Sequence, residues 1–193
     1  VVYRAIVDAG FLLQIDDPRL INYYVKNPQL SVDECRAWAE TQVEAINHSL
    51  MCIPEDRVRY HTCYGINMGP RVHDMEMKDF IDIVLKINAG AYSFEAANQR
   101  HEHEWRLWED IKLPTGKFII PGVITHSAVL VEHPELVAER IMRFASVVGR
   151  ENVMAGGAQH IGHVAPDPAA APGAMYKDEI GQYLLSPGLG MIY

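Results

Sequence analysis

The sequence predicts an α/β fold, a parallel sheet covered by helices, arranged as the C-terminal part of a (β/α)8 TIM-like barrel. Short apolar or β-branched runs recur near residues 12, 59, 93, 120 and 154, and segments of helical period separate them. Such alternation is typical of parallel strands joined by helices. Polar residues also follow most of these runs, as in barrels whose active site lies at the C-terminal ends of the strands.

The length indicates part of a barrel rather than a whole one. The chain has 193 residues, which is enough for one domain with a sizeable core, whereas a complete barrel needs ~250. We expect a partial barrel catalytic domain over residues 1–157 and a divergent tail over 158–193, rich in Pro, Ala and Gly. A small doubly wound sheet is the structural alternative.

The first predicted elements are a strand, a helix and a second strand. "FLLQID" (11–16) indicates a buried strand, and "RVRYHTCYG" (57–65) indicates the next one. Between them "SVDE" forms a capping box, with Ser31 and Glu34 three residues apart, that begins a helix. The apolar face of this helix would contain Cys35, Trp38, Ala39, Val43, Ile46 and Leu50.

The later elements continue the alternation of strands and helices. "MKDFIDIVLKI" has helical period, "GAYSFEAAN" (90–98) indicates a strand with a glutamate near its end, and "RHEHEWRLWED" indicates a short amphipathic helix. "KFIIPGVIT" (117–125) is the next predicted strand. A helix follows, with Pro134 in its first turn and Gly149 at its C-terminal end. "ENVMAGG" (151–157) is the last predicted strand.

Composition excludes several classes of function. The formal net charge is −8 and no cluster of Lys or Arg stands out, so we expect no nucleic-acid partner. No apolar run reaches the roughly 18 residues of a membrane span. The N-terminal stretch carries Arg4 and Asp8 in its apolar part, unlike a signal peptide. Three cysteines form an odd, sparse set typical of a reducing compartment, so we expect a cytoplasmic protein.

The strand ends carry the candidate chemistry. They are followed by Asp16 and Asp17, His61 and Cys63, Glu95 and Asn98, Thr125 and His126, and Gln159 and His160. Residues two apart on a strand point to one face, so His61 and Cys63 can reach one site. An imidazole, a thiolate and a carboxylate there would form a plausible zinc shell. The alternative is a structural cysteine beside a hydrogen-bonded histidine.

Other polar and cysteine positions have structural interpretations. Cys35 and Cys52 are predicted to lie in the core. The "HEHEW" cluster suggests a metal site, but its acidic residues and His103 spread around a helix, so a solvated or rim helix is favoured. Asp16 and Asp17 either cap the following segment or bind the amine of a substrate, and the sequence leaves both readings open.

Ordered motifs give a resemblance to a known family. "LQIDDP", "HTCYG", "SFEAAN", "IIPGVIT" and "ENVMAGG" resemble the C-terminal catalytic barrel of cobalamin-independent methionine synthase. "SFEAANQRHEHEW", "LPTGKFIIPGVI" and "VEHPELVAERI" resemble more closely its small relatives, the epoxyalkane:coenzyme M transferases. The resemblance implies zinc bound by His61, Cys63 and Glu95, and it implies that Asp16 helps to hold the amino acid part of homocysteine.

The chain departs from the family pattern at the late zinc cysteine. The family has a "D-C-G" motif after "VMAG", whereas this chain reads "GAQHIG" with Gln159 at the cysteine position. His160 or His163 would supply a replacement ligand, since imidazole binds zinc well. In the alternative, the metal site is weak or empty.

The leading hypothesis is zinc-dependent transfer of an alkyl or methyl group to a small-molecule thiol such as homocysteine. His61, Cys63, Glu95 and His160 would hold Zn²⁺, while Asp16, Tyr64 and Asn98 would contact the thiol and its alkyl donor, a methylated folate or an epoxide. One alternative is thiol addition to an epoxide. A second is a degenerate, non-catalytic relative, and a third is a homo-oligomer in which another chain completes the barrel.

Overall fold

A parallel sheet is the centre of the fold. The computed structural model describes residues 2–65, 73–125, 127–128 and 130–155. Its strands are β1 Leu13–Asp16, β2 Val58–His61, β3 Ala91–Glu95 and β4 Phe118–Gly122. They lie in chain order, and every pairing is parallel. A doubly wound sheet reverses its strand order at a switch point, so the unreversed order favours the predicted barrel arrangement over that alternative.

Helical segments fill every connection between successive strands. The α-helices are α1 Val2–Asp8, α2 Arg19–Lys26, α3 Val32–Ser49, α4 Ile81–Val84 and α5 Pro134–Val148. The 3-10 segments are Glu55–Arg57, Met77–Asp79, Glu102–Glu109 and Arg150–Asn152. No helix in the described part of the chain combines the length and the apolar character that crossing a bilayer requires.

Helix α3 begins and packs as its sequence predicts. The Ser31 hydroxyl accepts the Glu34 backbone N–H, and the Glu34 carboxylate accepts the Ser31 N–H at 2.8 Å. These two bonds satisfy donors that a helix N-terminus leaves without intrahelical partners. Cys35, Ala39 and Val43 are buried, so the predicted apolar face and the core position of Cys35 are confirmed.

Helix α5 also agrees with the prediction, and it carries a buried charge. Pro134 is its first residue and Val148 its last, and Gly149 caps its C-terminal end with a φ of 87° that suits glycine. Inside the helix the Arg140 guanidinium donates to Glu102, Glu132 and the Val123 carbonyl. Burial works against the charged guanidinium, but these carboxylates keep the pKa of Arg140 raised overall. The ion pairs connect α5 to the 3-10 segment Glu102–Glu109 and to the loop after β4.

The two sides of the sheet differ in chemistry. The helix-facing side packs into the hydrophobic core through Leu13, Ile15, Val58, Tyr60, Tyr92, Phe94 and Ile119. The polar side contains the residues that alternate with them, namely Gln14, Asp16, Arg59, His61, Ser93 and Glu95. Because successive side chains of a strand point to opposite faces, one short run of sequence supplies both sides.

Several predicted elements are shorter than their patterns suggested. The helix expected over "MKDFIDIVLKI" is divided into the 3-10 segment Met77–Asp79 and the single-turn α4, because Phe80 leaves helical geometry with φ −140°. The strand predicted over residues 57–65 ends at His61. Of the strand predicted over residues 151–157, the described part, 151–155, contains an isolated bridge between Val153 and Ile119.

Candidate functional site

Polar side chains from neighbouring strands meet at one end of the sheet. The register pairs Asp16 of β1 with His61 of β2, and His61 with Ser93 of β3. Glu95 follows two residues after Ser93, on the same side of the sheet. This edge holds the C-terminal ends of parallel strands, where active sites of barrels lie. We call His61, Cys63 and Glu95, with the groups that contact them, the strand-end site.

His61 is held by its neighbours on both sides. Its Nδ1 lies 3.1 Å from the Ser93 hydroxyl oxygen, and its Nε2 lies 3.8 Å from Asp16 Oδ1. The ring is buried, whereas the Asp16 side chain is 62% exposed. A hydrogen bond to one ring nitrogen fixes the orientation of the other. The Ser93 contact therefore turns Nε2 of His61 toward Asp16.

Two donors orient the buried Glu95 carboxylate. Oε1 accepts the Tyr64 backbone N–H at 2.9 Å, and Oε2 accepts the Asn98 side-chain amide at 2.9 Å. Each carboxylate oxygen has two acceptor positions, so one donor on each oxygen sets the orientation of the group without saturating it. The structure thus joins three of the residues predicted for the site: Glu95, Tyr64 and Asn98.

Cys63 lies just beyond the end of β2 and is buried. Its carbonyl accepts the side-chain amide of Asn22, which also donates to the carbonyl of Pro18. Gly65 follows with φ 78°, a conformation that glycine adopts without strain. Helix α2 therefore helps to fix the chain around Cys63 through Asn22.

The two neighbouring aspartates have separate roles. Asp17 Oδ1 accepts the backbone N–H groups of Arg19 and Leu20, the first residues of α2, so Asp17 stabilises the start of that helix. Its Oδ2 accepts the Tyr60 hydroxyl at 3.2 Å. Burial, and secondarily the negative charge of Asp17, raise the pKa of Tyr60 well above its usual range. The side chain of Asp16, by contrast, lies at the strand-end site.

The prediction of a solvated or rim helix at "HEHEW" is wrong for its key residues. His101 is 5% exposed and Glu104 is 8% exposed. His101 Nδ1 lies 3.1 Å from Glu104 Oε2, and His101 Nε2 lies 3.2 Å from Asp74 Oδ2. The segment is a 3-10 helix, whose three residues per turn place positions i and i+3 on one side. The spacing of His101 and Glu104 was therefore the useful feature, rather than an α-helical period.

Tyr64 links this buried cluster to the strand-end site. Its hydroxyl donates to Glu104 Oε2 at 3.0 Å, and its ring stacks on the His101 ring with centroids 3.4 Å apart. Burial, together with the nearby Glu104 carboxylate, raises the pKa of Tyr64 well above its usual range. The phenol is therefore neutral at physiological pH. Its predicted contact with substrate stays a prediction.

A complete zinc shell is not assembled among the residues that the structure describes. Over residues 2–65, 73–125, 127–128 and 130–155, no three His, Cys, Asp or Glu side chains are grouped closely enough to hold a metal ion. The fourth predicted ligand, His160, lies outside the described residues, as do Gln159, His163 and His126. The tail predicted over 158–193 lies outside them too.

Cys52 corrects the prediction that both remaining cysteines lie in the core. It is exposed and adopts φ 67° in the turn after α3. A residue in this left-handed conformation reverses the chain direction at the end of a helix. The apolar face of α3 therefore ends at the buried Leu50, before Cys52.

Comparisons with known proteins support the fold. No family model matches the chain, and no curated protein matches it either. Among solved structures, the chain is similar to a B12-independent methionine synthase from Shewanella sp. W3-18-1 in complex with selenomethionine, with a TM-score of 0.58 and 19% sequence identity. The match covers 80% of this chain and 43% of that chain. This chain therefore spans less than half of that enzyme, and the likeness establishes an α/β fold consistent with part of a barrel.

Proposed function

We propose that the chain is a thiol alkyltransferase of the methionine-synthase type, with zinc bound by His61, Cys63 and Glu95. The observation that carries the proposal is the Glu95 carboxylate, which is buried and oriented by two donors beside the end of the strand that supplies His61. The similarity in fold to a methionine synthase supports the same reaction class.

The donor set suits zinc in its chemistry. Imidazole nitrogen, thiolate sulfur and carboxylate oxygen are the ligands that zinc takes in proteins. Histidines and carboxylates that bind metals are usually held by further hydrogen bonds, as Ser93 holds His61 and Asn98 holds Glu95. Since three donors are not yet grouped within reach of one ion, we propose that metal binding draws these side chains together, as metal sites coupled to folding do.

The residues around the donors would bind and align the substrates. When bound, zinc lowers the pKa of a substrate thiol and so makes it a nucleophile near neutral pH. Asp16, exposed beside His61, would receive the amino group of the acceptor. Asn98 holds Glu95 and would contact the substrates beside it. Holding the thiol sulfur close to the electrophilic carbon and in line with it supplies much of the rate enhancement in a displacement of this kind.

The acceptor and the donor follow from the charge of Asp16. A carboxylate attracts the ammonium of homocysteine, whereas it repels the sulfonate of coenzyme M. We therefore propose a homocysteine-like acceptor with a methylated folate as donor, although several motifs resemble the epoxyalkane:coenzyme M transferases. Asp16→Asn should weaken use of homocysteine and leave use of a thiol without an amine unchanged. The reverse pattern would favour thiol addition to an epoxide.

The fourth ligand and the rest of the barrel are further proposals. His160 would complete the zinc shell in place of the cysteine that the family motif carries at Gln159. Residues 1–157 would form the catalytic unit, with 158–193 as a separate tail. Another copy of the chain completing the barrel would give an active homo-oligomer, and the molecular mass in solution measures that directly.

A degenerate, non-catalytic relative is the second candidate, and one observation favours it. The predicted donors are not grouped for a metal among the described residues, as expected where a zinc site has lost a ligand. Gln159→Cys separates the two candidates. If the wild-type chain alkylates no thiol and the variant does, the chain is a degenerate member whose site can be repaired.

Zinc analysis tests the leading proposal. We expect about one zinc ion per chain in wild-type protein purified with zinc, and thiol alkylation that depends on it. Cys63→Ser should lose most of the metal and the activity. Cys52→Ser makes the same atomic change at an exposed site away from β2 and is the matched control. Metal content far below this level in the wild type, or equal content in the Cys63→Ser variant, would contradict the proposal.

A further inference from the structure

We infer that Tyr64 is a positioning residue: the buried Glu104–His101–Asp74 cluster fixes its side chain, and its backbone N–H sets the orientation of the Glu95 carboxylate at the strand-end site. The inference rests on the function proposed above for the strand-end site. It gives the "HEHE" segment a role in that site, and it gives Tyr64 a role other than contact with substrate.

The side chain of Tyr64 is constrained in three directions. Its hydroxyl donates to Glu104 Oε2 at 3.0 Å. One face of its ring stacks on His101, with an angle of 5° between the planes. Phe80 packs against it in an edge-on arrangement at 6.4 Å. A tyrosine side chain has two main torsions, so these contacts leave it a single orientation and fix the backbone to which it is attached.

The cluster behind Tyr64 is anchored to separate parts of the chain. Glu104 Oε1 accepts the Met77 backbone N–H at 2.8 Å, which ties the 3-10 helix to the segment before α4. Asp74 contacts His101 and also accepts from Arg100 at 2.8 Å. Because most of these groups are buried, their hydrogen bonds act in a low dielectric and resist rearrangement. Tyr64 is therefore held by a rigid base rather than by one flexible side chain.

The effect passes to Glu95 through one backbone group. The Tyr64 N–H lies 2.9 Å from Glu95 Oε1, while Asn98 holds Oε2. If Tyr64 loses its anchor, the carboxylate loses the donor that orients Oε1, and its rotation about the last torsion becomes less restricted. Loss of such an orienting contact typically lowers metal affinity by about 10- to 100-fold. The cluster thus acts on the site through the backbone of Tyr64.

Tyr92 provides a matched control within the same sheet. It is as buried as Tyr64, and its hydroxyl donates to the carbonyls of Leu85 and Ile87. Tyr92 lies on the helix-facing side of β3, whereas Glu95 lies on the polar side. Tyr64→Phe and Tyr92→Phe therefore remove the same atom from equally buried positions, and only the first removes the anchor of the strand-end site.

Two measurements on the full chain test the inference. In metal-free protein, exchange of the position-64 amide proton, followed by NMR relative to amides of β2, should be about tenfold faster in Tyr64→Phe than in wild type. In a Co²⁺ and Zn²⁺ titration, the same variant should bind about tenfold more weakly, with a shifted cobalt absorption spectrum. Tyr92→Phe should match the wild type in both. Equal exchange and affinity in the two variants would overturn the inference.

The two proposals fail separately. If wild-type protein binds neither Zn²⁺ nor Co²⁺, the proposed function fails, while amide exchange at position 64 still reports whether the cluster holds Tyr64. If Tyr64→Phe does not fold, Glu104→Gln replaces it, since the glutamine keeps the size but offers one oxygen where the carboxylate accepts from both the Tyr64 hydroxyl and the Met77 N–H. Unchanged exchange at Tyr64 in a folded Glu104→Gln variant counts against the inference.

Discussion

The two sides of the sheet are organised by different forces. On the helix-facing side, Tyr60, Tyr92 and Phe94 pack into a continuous apolar core. The Phe94 ring stacks on Trp108 and meets Phe144 edge-on. On the polar side, His61 and Glu95 are positioned by hydrogen bonds from named partners. Apolar packing depends on volume and buried area, whereas a polar site depends on direction and pairing. Substitutions on the two sides should therefore have different consequences.

Strand β3 allows the sharpest comparison, because Phe94 and Glu95 are neighbours in sequence and point to opposite sides. Phe94→Ala should lower the free energy of unfolding by about 3–5 kcal/mol, since it leaves a cavity among packed aromatic rings. Chemical denaturation measures the loss. Phe11→Ala, at an exposed phenylalanine, should cost less than about 0.5 kcal/mol. Similar losses in the two variants would refute the assignment of Phe94 to the core.

Glu95→Gln should have its main effect on metal binding. The substitution keeps the shape but removes the charge. It also replaces one acceptor oxygen by an NH2 group, which then faces the Tyr64 N–H or the Asn98 amide, both of which are donors. We expect zinc affinity to fall at least about tenfold, or about 1.4 kcal/mol, which isothermal titration measures. Glu76→Gln removes a charge at an exposed position paired with Lys78 and is the control. Equal affinities in the two variants would exclude Glu95 as a ligand.

Alkaline pH should lower the stability of the protein through buried tyrosines on both sides of the sheet. Burial raises the pKa of Tyr60, Tyr64 and Tyr92 above the value of about 10 in an unfolded chain. These phenols therefore contribute full stability below about pH 10, and stability falls as pH rises further because the unfolded chain releases protons first. The loss is about 1.4 kcal/mol per pH unit for each tyrosine. Denaturation between pH 9 and 11 measures it.

Tyrosine-to-phenylalanine variants sharpen this comparison. Tyr64→Phe and Tyr92→Phe should each reduce the slope of stability against pH above pH 10 by the same amount, although only the first alters the strand-end site. Phenolate absorbance should rise together with unfolding rather than before it. Early ionisation of either tyrosine in folded protein would show that its hydroxyl reaches solvent.

The smallest effect is expected at the outer layer of helices. Arg36 of α3 forms a bidentate ion pair with Asp82 of α4, and this pair lowers the pKa of Asp82. The pair contributes its full stability above the pKa of Asp82 in the unfolded chain. This stability is lost as the pH falls through the lower pKa of the folded protein. Since Asp82 is half exposed, Arg36→Gln should cost only about 0.2–1 kcal/mol at pH 7. The free energy of unfolding of Arg36→Gln, measured from pH 7 to pH 2, should converge with that of the wild type at the acidic end.

Much of the fold could be predicted from the sequence because it depends on local patterns. The capping box at Ser31 and Glu34, and the Pro134 and Gly149 pair, define helix ends through backbone bonds and φ preferences that single residues express. Short apolar or β-branched runs then placed four strands. The length of α4 could not be predicted in this way, because "MKDFIDIVLKI" keeps its apolar period while Phe80 breaks the helix geometry.

The candidate site was only partly visible in the sequence. The H-x-C spacing and Glu95 were found because they follow strand ends. His101 and Glu104 were misplaced on a solvated helix, since their burial depends on Tyr64 and Asp74, which lie about 30 to 40 residues away in the chain. Ser93 was missed altogether. Its role depends on the register of β3 against β2, which a sequence does not state.

The alternation along β3 also makes the chain a suitable starting point for directed evolution. Phe94 secures the strand from one side, and Ser93 and Glu95 on either side of it project from the other. Randomising those two codons together with that of Asp16 would sample new ligand chemistries with the core left intact. Selection for a different metal or nucleophile could then proceed without a prior search for stabilising mutations.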